Sequence, residues 1–384
     1  MGNSHLSISK VSEYLQSLIS SPRLGAQVVY QTALPENPAI WSETSAKWPY
    51  AIEKALRSMG IRALYQHQAR AIDLIRNKRH VIVATPTASG KTLIYNLPVL
   101  ERFQNDNHSK SLYIFPLKAL AQDQLRVFEQ MTAHFGESRP TAAIYDGDTT
   151  AYRRKRIRQA PANVILTNPE MLHLSFLAHH RKWSDFFQGL QTVVVDEVHT
   201  YRGVMGSHVA QIFRRFHRIC RRYGASPTFV FSSATVADPG HLAQQLTGLA
   251  VTAVTKSGAP RNNRSLVFIN PETGPAQAAI LLLKAALHRK LRTIVYTQSR
   301  KLTELIALWT GNQSGDFANY ISAYRAGFLA EERRDIEMRL SKGDLLAVIS
   351  TSALELGIDI GDLDLCIRLD IPARWYPPGS AAAG

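Results

Sequence analysis

The sequence predicts an α/β protein made of two doubly wound parallel-sheet domains in tandem, and two observations carry that expectation. Short apolar runs recur at 80–84 (HVIVA), 111–115 (SLYIF), 163–166 (NVIL), 191–195 (QTVVV) and 228–232 (TFVFS). Each is β-branched or aromatic, as strands buried on both faces are. They alternate with longer helical patterns, which is the signature of βαβ units. After a polar stretch at 255–265 (TKSGAPRNNRS) the alternation restarts, with runs at 266–269, 292–296, 346–350 and 364–368. The organisation expected is an N-terminal extension over 1–49 with no clear period, a first domain over 50–258 and a second over 259–384, its tail atypical from about 368. A length of 384 residues suits two domains.

Composition narrows the partner. Lys and Arg number 45 against 30 Asp and Glu, a formal charge of +15. Such an excess points to a polyanion, with nucleic acid ahead of an anionic membrane surface. Only Cys220 and Cys366 are present, which excludes a disulfide framework and a Cys-rich zinc module within these residues. The opening MGNSHLSISK has no apolar core of a secretory signal, and no run approaches the ~18 apolar residues of a membrane span. A soluble, cytoplasmic protein is expected, associated with the nucleoid if bacterial.

Two local patterns carry the chemistry. The stretch VIVATPTASGKTLIYNLP (81–98) reads as a strand, a tight loop and a helix start, and it holds Gly90-Lys91-Thr92, the tail of a Walker A loop. Backbone N–H groups of Thr87, Ala88, Ser89 and Gly90 would cradle phosphates at the helix N-terminus. Lys91 would reach the β- and γ-phosphates, and the Thr92 hydroxyl would ligate Mg²⁺. Thr85 stands where the general pattern has its first glycine. The second pattern is VVVDEVHT (193–200): two adjacent carboxylates ending an apolar strand. A buried acid is costly without a metal or a partner. With the phosphate loop upstream, Asp196 reads as a Mg²⁺ ligand and Glu197 as the group that deprotonates the attacking water.

These residues, with others in order, resemble superfamily 2 helicases of the DEAD/DEAH-box type, here with a DEVH box. LYQHQ (64–68) is similar to a Q motif, in which Gln68 would read adenine. PTASGKT (86–92) resembles motif I, PLKALAQDQ (116–124) motif Ia, TNPEML (167–172) motif Ib, DEVH (196–199) motif II and SAT (233–235) motif III. IVYTQSR (294–300), YRAGFLAEERR (324–334) and TSALELGIDIG (351–361) resemble motifs IV, IVa and V. HTYRGVMGSHVA (199–210) and YDGDTT (145–150) are most similar to the Hrq1/MrfA (YprA-like) group of DNA-repair helicases.

The resemblance implies two RecA-like domains, the second incomplete, and an ATP-dependent DNA helicase moving 3′ to 5′, with ATP and Mg²⁺ as cofactors. It assigns nucleic-acid contacts to Lys118, Thr167, Asn168, Arg300 and Thr351, on DNA that is single-stranded or partly duplex, with little sequence preference. Gly357 and Asp359 would touch the nucleotide and pass its state on. His199 would couple the ATP site to Ser233 and Thr235. After Ile367 the chain reads RLDIPARWYPPGSAAAG, without the family's QxxGRxGR motif VI. Codons for Leu369–Arg374 permit a second frame reading Gly-Tyr-Pro-Gly-Ser, the turn the family carries there. A truncated fragment that binds ATP and nucleic acid without moving is the alternative, and an RNA helicase a second. Of two arginine-rich stretches, the amphipathic helix within 201–222 divides evenly between a solvated face and DNA contact, and the cluster at 153–158, which follows the GDT motif, leans slightly to DNA contact.

Overall fold

Four of the apolar runs at the centre of the sequence become strands with no water on either face, or nearly so: Val81–Ala84, Val164–Thr167, Leu190–Val195 and Thr228–Ser233. The structure, a computed structural model, describes residues 3–325, 327–351 and 363–369. It divides into two units, one of residues 35–263 and one of residues 1–34 with 264–384.

The first unit is built on a parallel sheet of seven strands. Their spatial order is Thr252–Val254, Val81–Ala84, Thr228–Ser233, Leu190–Val195, Lys110–Ile114, Val164–Thr167 and Ala142–Ile144. Every pairing between them is parallel. A parallel sheet needs helices on both faces, and each face has its own core. Val193, Val195, Phe229 and Phe231 pack on one side, with Phe213 and Phe216 of the helix Gly203–Arg222. Val81, Val83, Val194 and Val230 pack on the other, with Leu97 and Leu100 of the helix Lys91–Asn105. The loops at the carboxyl ends of these strands therefore share one edge, where ligands bind in such folds.

The amphipathic reading of residues 203–222 holds. Val209, Phe213, Phe216 and Cys220 are buried, whereas Arg214, Arg218, Arg221 and Arg222 are exposed. The short edge strands Ala142–Ile144 and Thr252–Val254 are additions to the sequence reading.

In the second unit the parallel order is Ile321–Tyr324, Ala347–Ser350, Thr293–Tyr296 and Leu365–Arg368. Two expectations are corrected here. The run at 266–269 does not open the parallel repeat; Arg264–Ile269 pairs antiparallel with Val28–Leu34, Leu266 facing Thr32. The first 34 residues are thus not a free extension, because that strand and the helix Asn3–Ile19 belong to this unit. The Tyr14 hydroxyl, pushed up by burial, donates to Leu282 O at 3.1 Å, and Arg289 Nη2 donates to Ser17 Oγ at 2.7 Å. Among the described residues, no helix is long and apolar enough to cross a membrane.

Candidate active site

The strand Val81–Ala84 hands over to a loop at Thr85 and the helix Lys91–Asn105 begins six residues later. The turn is tight enough to require left-handed backbone at Ala88 (φ 60°) and Gly90 (φ 73°). For Ala88 that conformation costs of order 1 kcal/mol and must be held in place. At Gly90 a side chain is excluded by contact as well, since a Cβ would lie 2.4 Å from Gln68 Nε2. Thr85 Oγ1 and Ser89 Oγ share a hydrogen bond of 2.7 Å across the loop. Lys91 Nζ donates to Thr85 O at 3.0 Å and to Pro86 O at 3.1 Å, so its charge already lies over the loop mouth. Burial lowers its pKa, opposed by Glu197 and Asp196.

Both carboxylates face that lysine from the end of Leu190–Val195. Asp196 is 7% exposed, and its Oδ1 accepts from Glu197 N at 2.9 Å. Burial raises its pKa, opposed by the nearby Ser232 hydroxyl, by the hydrogen bond from Glu197 N and by Lys91. Glu197 takes left-handed backbone (φ 50°), and its carboxyl is pushed up to about 7 by burial and by Asp196, against the pull of Lys91. Its Oε2 lies 3.1 Å from His199 Nδ1.

His199 is held below the usual histidine range by burial, Arg202 and Lys91. Its Nδ1 accepts from Ala234 N at 3.3 Å, with Ser233 Oγ at 3.5 Å. The link from motif II to motif III therefore runs through Ser233 and Ala234, while Thr235 is exposed, a correction to the expected pairing. Thr92 opens the helix beside Tyr95, whose hydroxyl is 3.5 Å from Thr92 Oγ1.

No group of three or more His, Cys, Asp or Glu side chains suited to a metal exists among the described residues. One buried carboxylate and one hydroxyl fit Mg²⁺, which keeps several waters and takes its remaining ligands from substrate phosphates. They do not fit a fully protein-caged metal.

Gln68 is buried with both ends of its amide engaged: Nε2 donates to Gly90 O at 2.9 Å and Oε1 accepts from Tyr65 N at 2.8 Å. An adenine could be read only by exchanging one of these bonds, so in this state Gln68 braces the loop.

The residues expected to meet nucleic acid divide. Lys118 Nζ is exposed, paired to Asp148 Oδ1 at 2.6 Å, and its pKa is raised by that partner. Thr167, by contrast, is 2% exposed and its hydroxyl donates inward to Tyr145 O at 2.7 Å. Asn168 Oδ1 accepts from Met171 N at 2.8 Å as a helix cap. Both side chains spend these polar atoms on the protein itself and so shape the loop. Of the basic residues at 153–158, Arg154 Nη2 donates to Asp146 O and Gly147 O, and Arg158 Nη1 to the Tyr145 hydroxyl. That leaves Arg153, Lys155 and Arg156 exposed.

In the other unit Arg300 is exposed at the start of its helix, and Thr351 is half-buried after Ala347–Ser350. Gly357 and Asp359 lie outside the described residues, as does the tail from 370. The sequence reading missed His67, which touches the phosphate loop one residue before Gln68; its only signal was a place inside the quoted LYQHQ.

Comparison with known proteins agrees with this geometry. The DEAD/DEAH box helicase model matches residues 65–241, and the helicase conserved C-terminal domain model matches 277–381. The chain is 42% identical over 351 residues to the uncharacterized ATP-dependent helicase YprA of Bacillus subtilis, covering 86% of this chain and 46% of YprA. It is 36% identical to the ATP-dependent helicase hrq1 of Schizosaccharomyces pombe, covering 94% of this chain and 36% of that one. A crystal structure of the DUF1998 helicase MrfA bound to DNA and AMPPNP superimposes with a TM-score of 0.89 at 39% identity, over 94% of this chain and 51% of that one. The chain thus spans about half the length, or less, of these relatives. With both domain models matched in order around this loop and carboxylate pair, the chain belongs to the superfamily 2 DEAD/DEAH box helicases, in the group of Hrq1 and MrfA.

Proposed function

We propose that this chain hydrolyses ATP and uses it to move along DNA as the motor part of a helicase, 3′ to 5′ and in the service of DNA repair. One observation carries the reading. Lys91, Asp196 and Glu197 meet at the carboxyl edge of one parallel sheet, with each carboxyl raised by burial and opposed by the lysine charge. That is an arrangement waiting for a polyphosphate and a divalent cation.

Gly90 and Lys91 N–H groups and the Lys91 ammonium would bind the β- and γ-phosphates. Thr92 and Asp196 would hold Mg²⁺, which supplies charge neutralisation on the phosphate oxygens. Glu197, with a pKa near the working pH, suits proton removal from the attacking water. His199 would carry the change at Glu197 to Ser233 and Ala234 through the one nitrogen that both sides share. Lys118 and Arg300 would contact phosphates of the strand, which positions DNA without reading its sequence. A cytoplasmic, DNA-bound location goes with this reading.

The test is ATP turnover by residues 1–384 with and without single-stranded DNA, beside Glu197→Gln. Turnover stimulated by DNA and abolished by the substitution is expected. Strand displacement from a 3′-tailed but not a 5′-tailed duplex checks the direction, and an RNA tail in its place checks the substrate. Binding of nucleotide and DNA with no turnover would refute the motor and leave a binding fragment.

A further inference from the structure

His67 and Gln68 are consecutive, only 1% and 2% exposed, and stand in the first turn of the helix Gln66–Arg76. Each reaches one of two consecutive carbonyls of the phosphate loop. His67 Nε2 lies 3.0 Å from Ser89 O, and Gln68 Nε2 lies 2.9 Å from Gly90 O. A carbonyl can only accept, so both nitrogens donate. The far end of each side chain is fixed by a donor: Gly258 N–H gives to His67 Nδ1 at 3.1 Å, and Tyr65 N–H to Gln68 Oε1 at 2.8 Å. The imidazole is therefore neutral with its proton on Nε2, and the amide has one orientation.

In a trans peptide the C=O and the next N–H point in opposite directions, and the described chain has no cis peptide. Holding Ser89 O toward His67 aims Gly90 N–H away from the helix Gln66–Arg76. Holding Gly90 O toward Gln68 aims Lys91 N–H the same way. Those are the two N–H groups at the start of the helix Lys91–Asn105, where a phosphate is received. The left-handed turns at Ala88 and Gly90 bring them together and are themselves the strained part of the loop.

The anchor behind the imidazole is also fixed. Gly258 O accepts from Ile40 N at 2.9 Å, and a Cβ on Gly258 would lie 2.7 Å from Ile40 O. A rigid ring with a donor on one edge and an acceptor on the other spans Ser89 and Gly258, and a neutral imidazole is that group.

We propose that His67 is a positioning residue of the nucleotide site: with Gln68 it clamps two successive loop carbonyls, so that the Gly90 and Lys91 N–H groups face the phosphates before the nucleotide arrives. The inference rests on the ATP-site reading above and deepens it. Its consequence is a contribution from His67 to polyphosphate binding that is the same whatever base the nucleotide carries.

The experiment is calorimetric binding of inorganic tripolyphosphate, ATP and GTP, with Mg²⁺, to the full chain and to His67→Ala, His67→Gln and His67→Asn. One lost hydrogen bond to the loop is worth about 1 kcal/mol, or roughly fivefold in affinity. His67→Ala is expected to weaken tripolyphosphate, ATP and GTP by the same factor of about five. His67→Gln, whose Nε2 can still donate to Ser89 O, is expected to keep most of the affinity, and His67→Asn, which is too short, to lose it. Tripolyphosphate binding by His67→Ala equal to that of the unsubstituted chain overturns the proposal. So does a loss confined to ATP, which would make His67 part of a base pocket, or an equal loss in all three variants that tracks melting temperature. No binding of tripolyphosphate or ATP by the unsubstituted chain would instead refute the nucleotide site itself.

Discussion

Replacing Glu197 by Gln removes a charge that the folded nucleotide-free chain holds at a loss. The Glu197 carboxyl moves from 4.5 to about 7 on folding, chiefly by burial and then by Asp196. At ~1.4 kcal/mol per pH unit, ionising it in the fold costs roughly 3 kcal/mol more than in the unfolded chain. Water still reaches 14% of the side chain and screens part of this, leaving about 1–3 kcal/mol. A raised acid pKa means that the fold binds the extra proton, so stability is present below 4.5 and is lost as pH rises through about 7. Glutamine keeps the shape and can still donate to His199 Nδ1. Glu197→Gln should therefore melt higher than the unsubstituted chain at pH 8, by roughly 3–8 °C for a unit of this size. At pH 4.5 the two should melt together. Thermal denaturation followed by circular dichroism at both pH values, without nucleotide, measures this. A gap of the same size at both values, or a lower melting point for Glu197→Gln at pH 8, would refute the burial argument.

Three further outcomes follow from the same contacts. Gly258→Ala must place a methyl 2.7 Å from Ile40 O and 2.9 Å from Gln66 N; a loss of about 1–3 kcal/mol in urea unfolding is expected, together with weaker tripolyphosphate binding. Arg102 donates to Gln191 O, Thr192 Oγ1, Ile75 O and Thr228 Oγ1 from a half-buried position. Arg102→Met removes four hydrogen bonds, Ile75 O keeping the one from Lys78 N at 3.0 Å, and should cost about 2–4 kcal/mol by the same assay, with an unchanged result counting against the network. The pKa of His217 is pushed down to about 4 by burial, His80 and Arg221, and its Nε2 is buried without a partner. The fold disfavours its protonation, so stability should fall as pH drops from 6.5 towards 4, and His217→Phe should flatten that slope.

The central strands were legible because each is an unbroken apolar run, and Lys91, Asp196 and Glu197 were legible because their chemistry fixes their spacing. What escaped the sequence depends on distant partners. Ala142–Ile144 and Thr252–Val254 are three-residue edge strands, half-covered and without an apolar run to announce them. Val28–Leu34 shows alternating burial, but its partner lies more than two hundred residues away, and nothing local names it. Thr167 was assigned to the nucleic-acid strand through the resemblance of TNPEML to motif Ib. That its hydroxyl turns in depends on Tyr145 O, which only the parallel register of Ala142–Ile144 beside Val164–Thr167 brings near. His67 was passed over for the same reason, since Ser89 and Gly258 become its neighbours only once the chain is folded.

The pairing of Val28–Leu34 with Arg264–Ile269 sets an order of events on the ribosome. The strand Val28–Leu34 has no partner until the whole ATP-site unit, residues 35–263, has been synthesised after it. That unit can close while the leading strand waits, its edge open to stray pairing for as long as translation takes. A fragment cut at 1–263 would keep that orphan strand for good, whereas one that starts at Pro35 would not. The piece free of an unpaired strand edge at 28–34 is the shorter one.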